Sequence, residues 1–135
     1  MLYITRKEHF NAAHRLFNAS WSDDENETVF GKCSNKNFHG HNYNLFVTVK
    51  GEPDPETGLI VNAKHLSTLI KDVVLDNLDH KNLNLEVAFL TGIIPSTENL
   101  AKAIWNELKP HITGCRLHCV RLFETENIFA EYYGE

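Results

Sequence analysis

The residues of this chain best suited to chemistry are concentrated between Cys33 and Tyr43, in the run CSNKNFHGHNY. Two histidines flank one glycine, and a cysteine precedes the first of them by six positions. On a β-strand, residues i and i+2 point to the same side. His39 and His41 therefore present ring nitrogens to one point, and Gly40 leaves the opposite face open. His14 ends a second alternating stretch, and a neighbouring strand carrying it would complete a tripod. Three neutral imidazoles suit Zn²⁺ and leave a fourth position for water or substrate, as catalytic zinc requires. The plainer alternative is that HxH marks two half-buried polar residues, because so short a motif has many chance matches. Cys33 also has two readings, a fourth ligand closing a structural site or a reactive thiol beside an open one. A free thiol is only a few per cent ionised at neutral pH, so the second reading needs a metal, a histidine or a dipole nearby.

Two further groups carry chemistry. In LDHKN, Asp79 and His80 form an acid–imidazole pair that works as a relay only if an irregular turn brings their side chains together; otherwise they are a helix-terminal histidine and a solvated aspartate. In VRLFETEN, Val120, Leu122 and Glu124 share a strand face, so a carboxylate continues an apolar row. If buried, that carboxylate must be paired or hydrogen-bonded, and a ligand with a guanidine-like edge would serve. Cys115 and Cys119 alternate with Leu117 and read as small core residues. His9, His65, His111 and His118 read as surface or satisfied histidines.

The elements that position these groups follow from periodicity. Phe10, Ala12 and His14 share one strand face, and His39, His41, Tyr43, Leu45, Val47 and Val49 another. Residues 18–32 are acidic and turn-rich and read as a surface loop. GEPDPETG is a turn leading to a short strand at LIVN. Leu66, Leu69, Ile70, Val73, Val74 and Leu78 form a helical stripe with Asn62 as N-cap. PSTENLAKAIWNELKP predicts a second helix, capped by Ser96 or Thr97, with Glu98 favouring the positive end of its dipole and Pro110 stopping it. Strands over roughly 115–124 and 128–133 close the chain. The order indicates an α+β fold with an antiparallel sheet and helices on one face.

Length and composition bound the function. The 135 residues suit one domain, 1–135, with 42% hydrophobic and 23% charged residues. The start, MLYITRKEHF, lacks the apolar run of a signal peptide, and three cysteines without an export signal argue against a disulfide framework. A soluble, cytoplasmic protein is expected. A net charge of -5 argues against nucleic-acid binding through phosphate neutralisation, and no segment is long enough to suggest a membrane partner.

Taken in order, FNAAHRL, GKC followed five residues later by HGHNY, GxxxPxTGxxxN, LDHKNLN, STENLA, FET and a terminal YYGE resemble the 6-pyruvoyl-tetrahydropterin synthase family across nearly the whole chain. The resemblance implies the tunnelling fold (T-fold), an antiparallel four-stranded sheet with two helices on one face. Trimers would close their sheets into a barrel, and two trimers would stack as a homohexamer with active sites at subunit interfaces. It implies zinc on His14, His39 and His41, with Cys33 as proton-abstracting base and Asp79 and His80 as a relay serving a neighbour's cysteine. It also implies that Glu124 anchors the pterin, with Thr97 and Glu98 near the same pocket. The implied substrate is 7,8-dihydroneopterin triphosphate, whose triphosphate Arg15, Lys32 and Lys36 would meet. The five-residue gap before HGH resembles the 6-pyruvoyl branch rather than the 6-carboxytetrahydropterin synthase branch of queuosine biosynthesis, which remains the alternative. A catalytically silent pterin- or zinc-binding protein is the third possibility. The chain departs from the family pattern at Phe38, where mammalian members have glycine, and at Ser96, where they have threonine.

Overall fold

In the computed structural model, which describes residues 1–135, two long antiparallel strands form the centre of the fold. β1 (Leu2–His14) and β2 (His39–Gly51) pair over their whole length, from Leu2 opposite Gly51 to His14 opposite His39. Alternation places Phe10, Ala12 and His14 of β1 and Tyr43, Leu45, Val47 and Val49 of β2 on the buried face. This is the face expected from the sequence. Two residues, Lys81–Asn82, add a short parallel strand, β3, beside the end of β1. On the other side lie β4 (Arg116–Thr125), antiparallel to β2, and β5 (Ile128–Tyr132), antiparallel to β4. The sheet order is β3-β1-β2-β4-β5. The expected four-stranded sheet thus gains a fifth, two-residue strand, too short to leave a periodic signature.

α1 spans Asp23–Phe30, and α2 (Ala63–Ile70) runs through a π-helical turn at Lys71–Leu75 into α3 (Asp76–Leu78); α4 spans Thr97–Leu108. The α2–α3 and α4 segments of the chain's helices cover one face. Leu66, Ile70, Val74 and Leu78 from the α2–α3 segment and Leu100, Ile104 and Leu108 from α4 are all buried against the sheet. The π turn also brings Leu75 into this face, although it lies outside the expected stripe. Asn62 Oδ1 accepts from the Lys64 and His65 amides, and Ser96 Oγ from the Asn99 amide, so both helices start at caps legible in the sequence.

Three expectations need correction. Residues 18–32 are not a plain loop: Ser22 caps α1 by accepting from the Glu25 amide at 3.1 Å, and Asp23, Asp24 and Glu25 suit the helix dipole. The helix lacks an apolar stripe. It is held instead by the buried Asn26 side chain, which accepts from the Asn18 amide at 2.7 Å and donates to the Asn18 carbonyl at 3.0 Å. The LIVN segment forms no ladder, although Ile60 and Val61 still pack partly against the core. Finally, Cys115, Leu117 and Cys119 do not share a face. Leu117 pairs with Val49 and Cys119 with the adjacent Thr48, so His118 is the extra residue of a bulge. Cys115 and Leu117 pack against the core, whereas Cys119 turns to the other face beside Arg121, Glu131 and Tyr133. Only this bulge lets Leu117 and Val120 both reach the core.

Leu45, fully buried between sheet and helices, should cost about 2–5 kcal/mol when truncated to alanine. Asn26→Ala, which strands the Asn18 amide, should cost about 1–3 kcal/mol. Urea unfolding of both variants measures these losses.

Candidate metal centre

The β1–β2 register decides the site. It sets the last residue of β1, His14, directly opposite the first of β2, His39, while His41 sits two residues further along β2 on the same face. Ring centroids lie 4.5 Å apart for His14–His39, 5.0 Å for His14–His41 and 4.9 Å for His39–His41. Phe38, just before His39, has φ 66°, in the left-handed region where a residue without Cβ is unstrained. Its amide donates to the Asn35 carbonyl at 3.1 Å, fixing the sharp entry into β2. That backbone geometry accounts for a glycine at this position in the family pattern.

Glu124, near the end of β4, closes the group. Its Oε1 lies 3.2 Å from Nε2 of His14 and 3.2 Å from Nε2 of His41. One donor atom from each of the four residues falls within 4.8 Å of all the others. These contacts are not aligned hydrogen bonds, and His14 Nε2, both ring nitrogens of His39 and His41 Nε2 are buried without partners. Leaving such groups unpaired costs about 1–3 kcal/mol each, and one cation would satisfy several at once. Three imidazoles converging beside a carboxylate fit zinc. Burial, above all, pushes the His14 and His39 pKa values down, with neighbouring imidazoles adding to it, so both rings are held neutral as a metal requires. His14 Nδ1 lies 2.8 Å from the Pro95 carbonyl. A carbonyl only accepts, so this nitrogen carries the proton and Nε2 keeps its lone pair toward the group.

Two residues outside the sequence-based list belong to the site. Tyr43, fully buried and stacked on Phe10 at 4.8 Å, places its hydroxyl 3.3 Å from His14 Nδ1. Burial first, then the charges of Glu124 and Cys33, push its phenol far above the ordinary range. Tyr43 was legible only as a member of an apolar row. The Pro95 carbonyl, a backbone group, leaves no sequence signal beyond its place before the α4 cap.

The remaining candidates divide. Cys33 lies half-buried in a 3₁₀ turn, Gly31–Ser34, whose docking is fixed by the Leu16 amide donating to the Cys33 carbonyl at 2.8 Å. It is not among the four grouped donors. Thr97 is buried and Glu98 exposed in the first turn of α4, directly after the Pro95 segment that meets His14. Asp79 and His80 do meet each other, Nδ1 to Oδ1 at 3.0 Å, because His80 adopts φ 61°. Asp79 also accepts from the Asn11 amide at 2.9 Å, and that bond, followed by His80, holds its carboxyl below the usual range. Together with Asn11, Gly40 and Asn42, His80 lines an open groove, and no contact joins it to Cys33 within the chain.

Arg15, Lys32 and Lys36 line one cleft, but Asp23 and Glu27 line it too. Lys36 is paired with Asp23 at 2.8 Å, and the Arg15 guanidinium donates to the Ser34 carbonyl at 2.8 Å. The end of β1 is held from behind by Asn84, which exchanges hydrogen bonds with the Arg15 amide and carbonyl at 2.8 and 2.9 Å. His9, His65 and His111 are exposed, and His118 sits half-buried between Tyr3 and Tyr133.

Comparison with known proteins gives a consistent result. The family model described as 6-pyruvoyl tetrahydropterin synthase matches residues 3–135. The chain is 43% identical over 132 residues to the 6-pyruvoyl tetrahydrobiopterin synthase of Dictyostelium discoideum, covering 98% of this chain and 96% of that one. It is 42% identical to the protein of the same name from Pongo abelii, covering 98% and 91%. Identity to a 6-carboxy-5,6,7,8-tetrahydropterin synthase from Rickettsia bellii is 28%, over 97% of this chain and 99% of that one. Among solved structures, 6-pyruvoyl tetrahydropterin synthase of Caenorhabditis elegans superposes with a TM-score of 0.93 at 36% identity, covering 99% and 96% of the two chains. The fold, the histidine cluster and these matches agree: this chain belongs to the 6-pyruvoyl tetrahydropterin synthase family.

Proposed function

We propose that this protein is a zinc-dependent lyase that converts 7,8-dihydroneopterin triphosphate to 6-pyruvoyl-tetrahydropterin with elimination of triphosphate. The observation that carries the reading is the group His14, His39, His41 and Glu124, whose donor atoms lie within 4.8 Å of one another. His14, His39 and His41 hold the metal through ring nitrogens that nothing else in the chain satisfies. Zinc, when bound, acts as a Lewis acid on the substrate's side-chain hydroxyls and eases deprotonation of the adjoining carbons.

The chain's own groups do the rest. Glu124 turns Oε1 toward two histidines, and its carboxylate anchors the pterin by accepting from the 2-amino and N3 edge. Thr97 and Glu98 flank that edge from the start of α4. Cys33 thiolate takes the proton from the side chain, the ring is reduced internally, and no external reductant is needed. Asp79 fixes His80 at 3.0 Å, and this pair relays the proton at a neighbouring subunit's Cys33. Such sharing suits a sheet whose outer strands, β3 and β5, leave edges for other subunits to pair with. A homohexamer of two stacked trimers completes the reading. No helix is long and apolar enough to cross a membrane, and we place the enzyme in the cytoplasm. The second reading, formation of the 6-carboxy product, uses the same substrate and metal; the higher identity to 6-pyruvoyl enzymes favours the first.

Anaerobic incubation with 7,8-dihydroneopterin triphosphate and zinc, followed by mass spectrometry, should yield a 6-pyruvoyl product and free triphosphate. A 6-carboxy product with acetaldehyde would assign the second reading, and unchanged substrate would leave only binding. Cys33→Ala should lower turnover by about 10²–10⁴-fold while zinc content stays at the wild-type level. Metal removal should expose the histidines' linkage to pH. Because burial lowers the His14 and His39 pKa values below 6.5, acidification protonates the unfolded chain first. Stability of chelator-treated protein should therefore be full above pH 6.5 and fall as the pH drops below it. Urea midpoints at pH 7.5 and 5.5 check the sign, and added zinc should raise both.

A further inference from the structure

The bond that orients His14 depends on a segment with an unusual weakness. Pro95 has no amide hydrogen, so the 94–96 segment cannot be oriented through that nitrogen. Its direction is set through carbonyls. The Ile94 carbonyl accepts twice, from the Ser96 amide at 2.8 Å and from Asn99 Nδ2 at 2.9 Å. The next carbonyl, that of Pro95, accepts from His14 Nδ1. Asn99 reaches back from the first turn of α4, where its own amide is already taken by Ser96 Oγ at 3.2 Å. Its side chain is not needed as the cap.

A rival arrangement is close by. The Tyr43 hydroxyl lies 3.3 Å from the same Nδ1. If the Pro95 carbonyl turned away, the Tyr43 hydroxyl would donate to an unprotonated Nδ1. The imidazole proton would then sit on Nε2, on the side of Glu124 Oε1 at 3.2 Å. That tautomer has no lone pair at Nε2 for a metal. The direction of one carbonyl thus separates a metal-binding histidine from one that cannot bind.

We propose that Asn99 is a positioning residue of the metal centre: by holding the Ile94 carbonyl toward α4, it keeps the Pro95 carbonyl on His14 Nδ1 and selects the metal-binding tautomer. The proposal rests on the metal reading of the site. Its test is nitrogen-15 NMR of the histidine rings in metal-free protein, combined with zinc affinity measured by chelator competition. Wild-type His14 should carry its proton on Nδ1. Asn99→Ala should move it toward Nε2 and weaken zinc about tenfold. Asn99→Asp, which lacks the N–H donor but places a favourable negative charge at the helix start, should keep the wild-type Tm and show the same loss. An unchanged His14 tautomer with zinc affinity within about twofold of wild type in both variants would overturn the proposal. If wild-type protein bound no zinc, the metal reading itself would fall, while the tautomer comparison would still report on the lock.

Discussion

The fold around the site depends on the register of one strand pair. With His14 opposite His39, the end of β1 and the start of β2 deliver three imidazoles to one point on the buried face. Side chains alternate along a strand, so a slip of one residue would send each ring to the other face. The register is specified along the strand pair by Phe10, Tyr43, Leu45, Val47 and Val49, which must all be buried together. Apolar packing along the sheet therefore sets the position of polar groups at its end.

Those polar groups work against the packing they depend on. Burial deprives the histidines of solvent and leaves four ring nitrogens without partners. The same burial holds His14 and His39 neutral. Stability given up in the metal-free protein becomes affinity once a cation is present, because a neutral, pre-oriented imidazole has no proton to release. Supports converge on this point from every side. Asn84 grips the backbone after His14, Phe38 takes a left-handed turn before His39, and the Pro95 carbonyl fixes the His14 tautomer.

Much of this was legible because it rests on period and residue type. Alternation put His14 on a strand face with Phe10 and Ala12, and His39 and His41 on one with Tyr43, and the caps at Asn62 and Ser96 announced two helices. What escaped the sequence has other physical origins. α1 is held by Ser22, its acidic first turn and buried Asn26 rather than by apolar spacing. The bulge at His118 appears only when two incompatible apolar rows, one through Leu117 and one through Val120, are both required to face the core. The approach of Glu124 to two histidines is a tertiary contact between strands distant in sequence. Cys33 illustrates the limit: spacing allowed it to be a ligand or a thiol beside the site, and nothing in that spacing marks it as lying outside the four grouped residues.

The most direct test of this account is zinc K-edge X-ray absorption on protein loaded with one zinc per chain. The account predicts three nitrogen scatterers at about 2.0–2.1 Å with the remaining position filled by oxygen, and no sulfur. A sulfur scatterer at about 2.3 Å would place Cys33 on the metal, and both the open site and the free base would be contradicted.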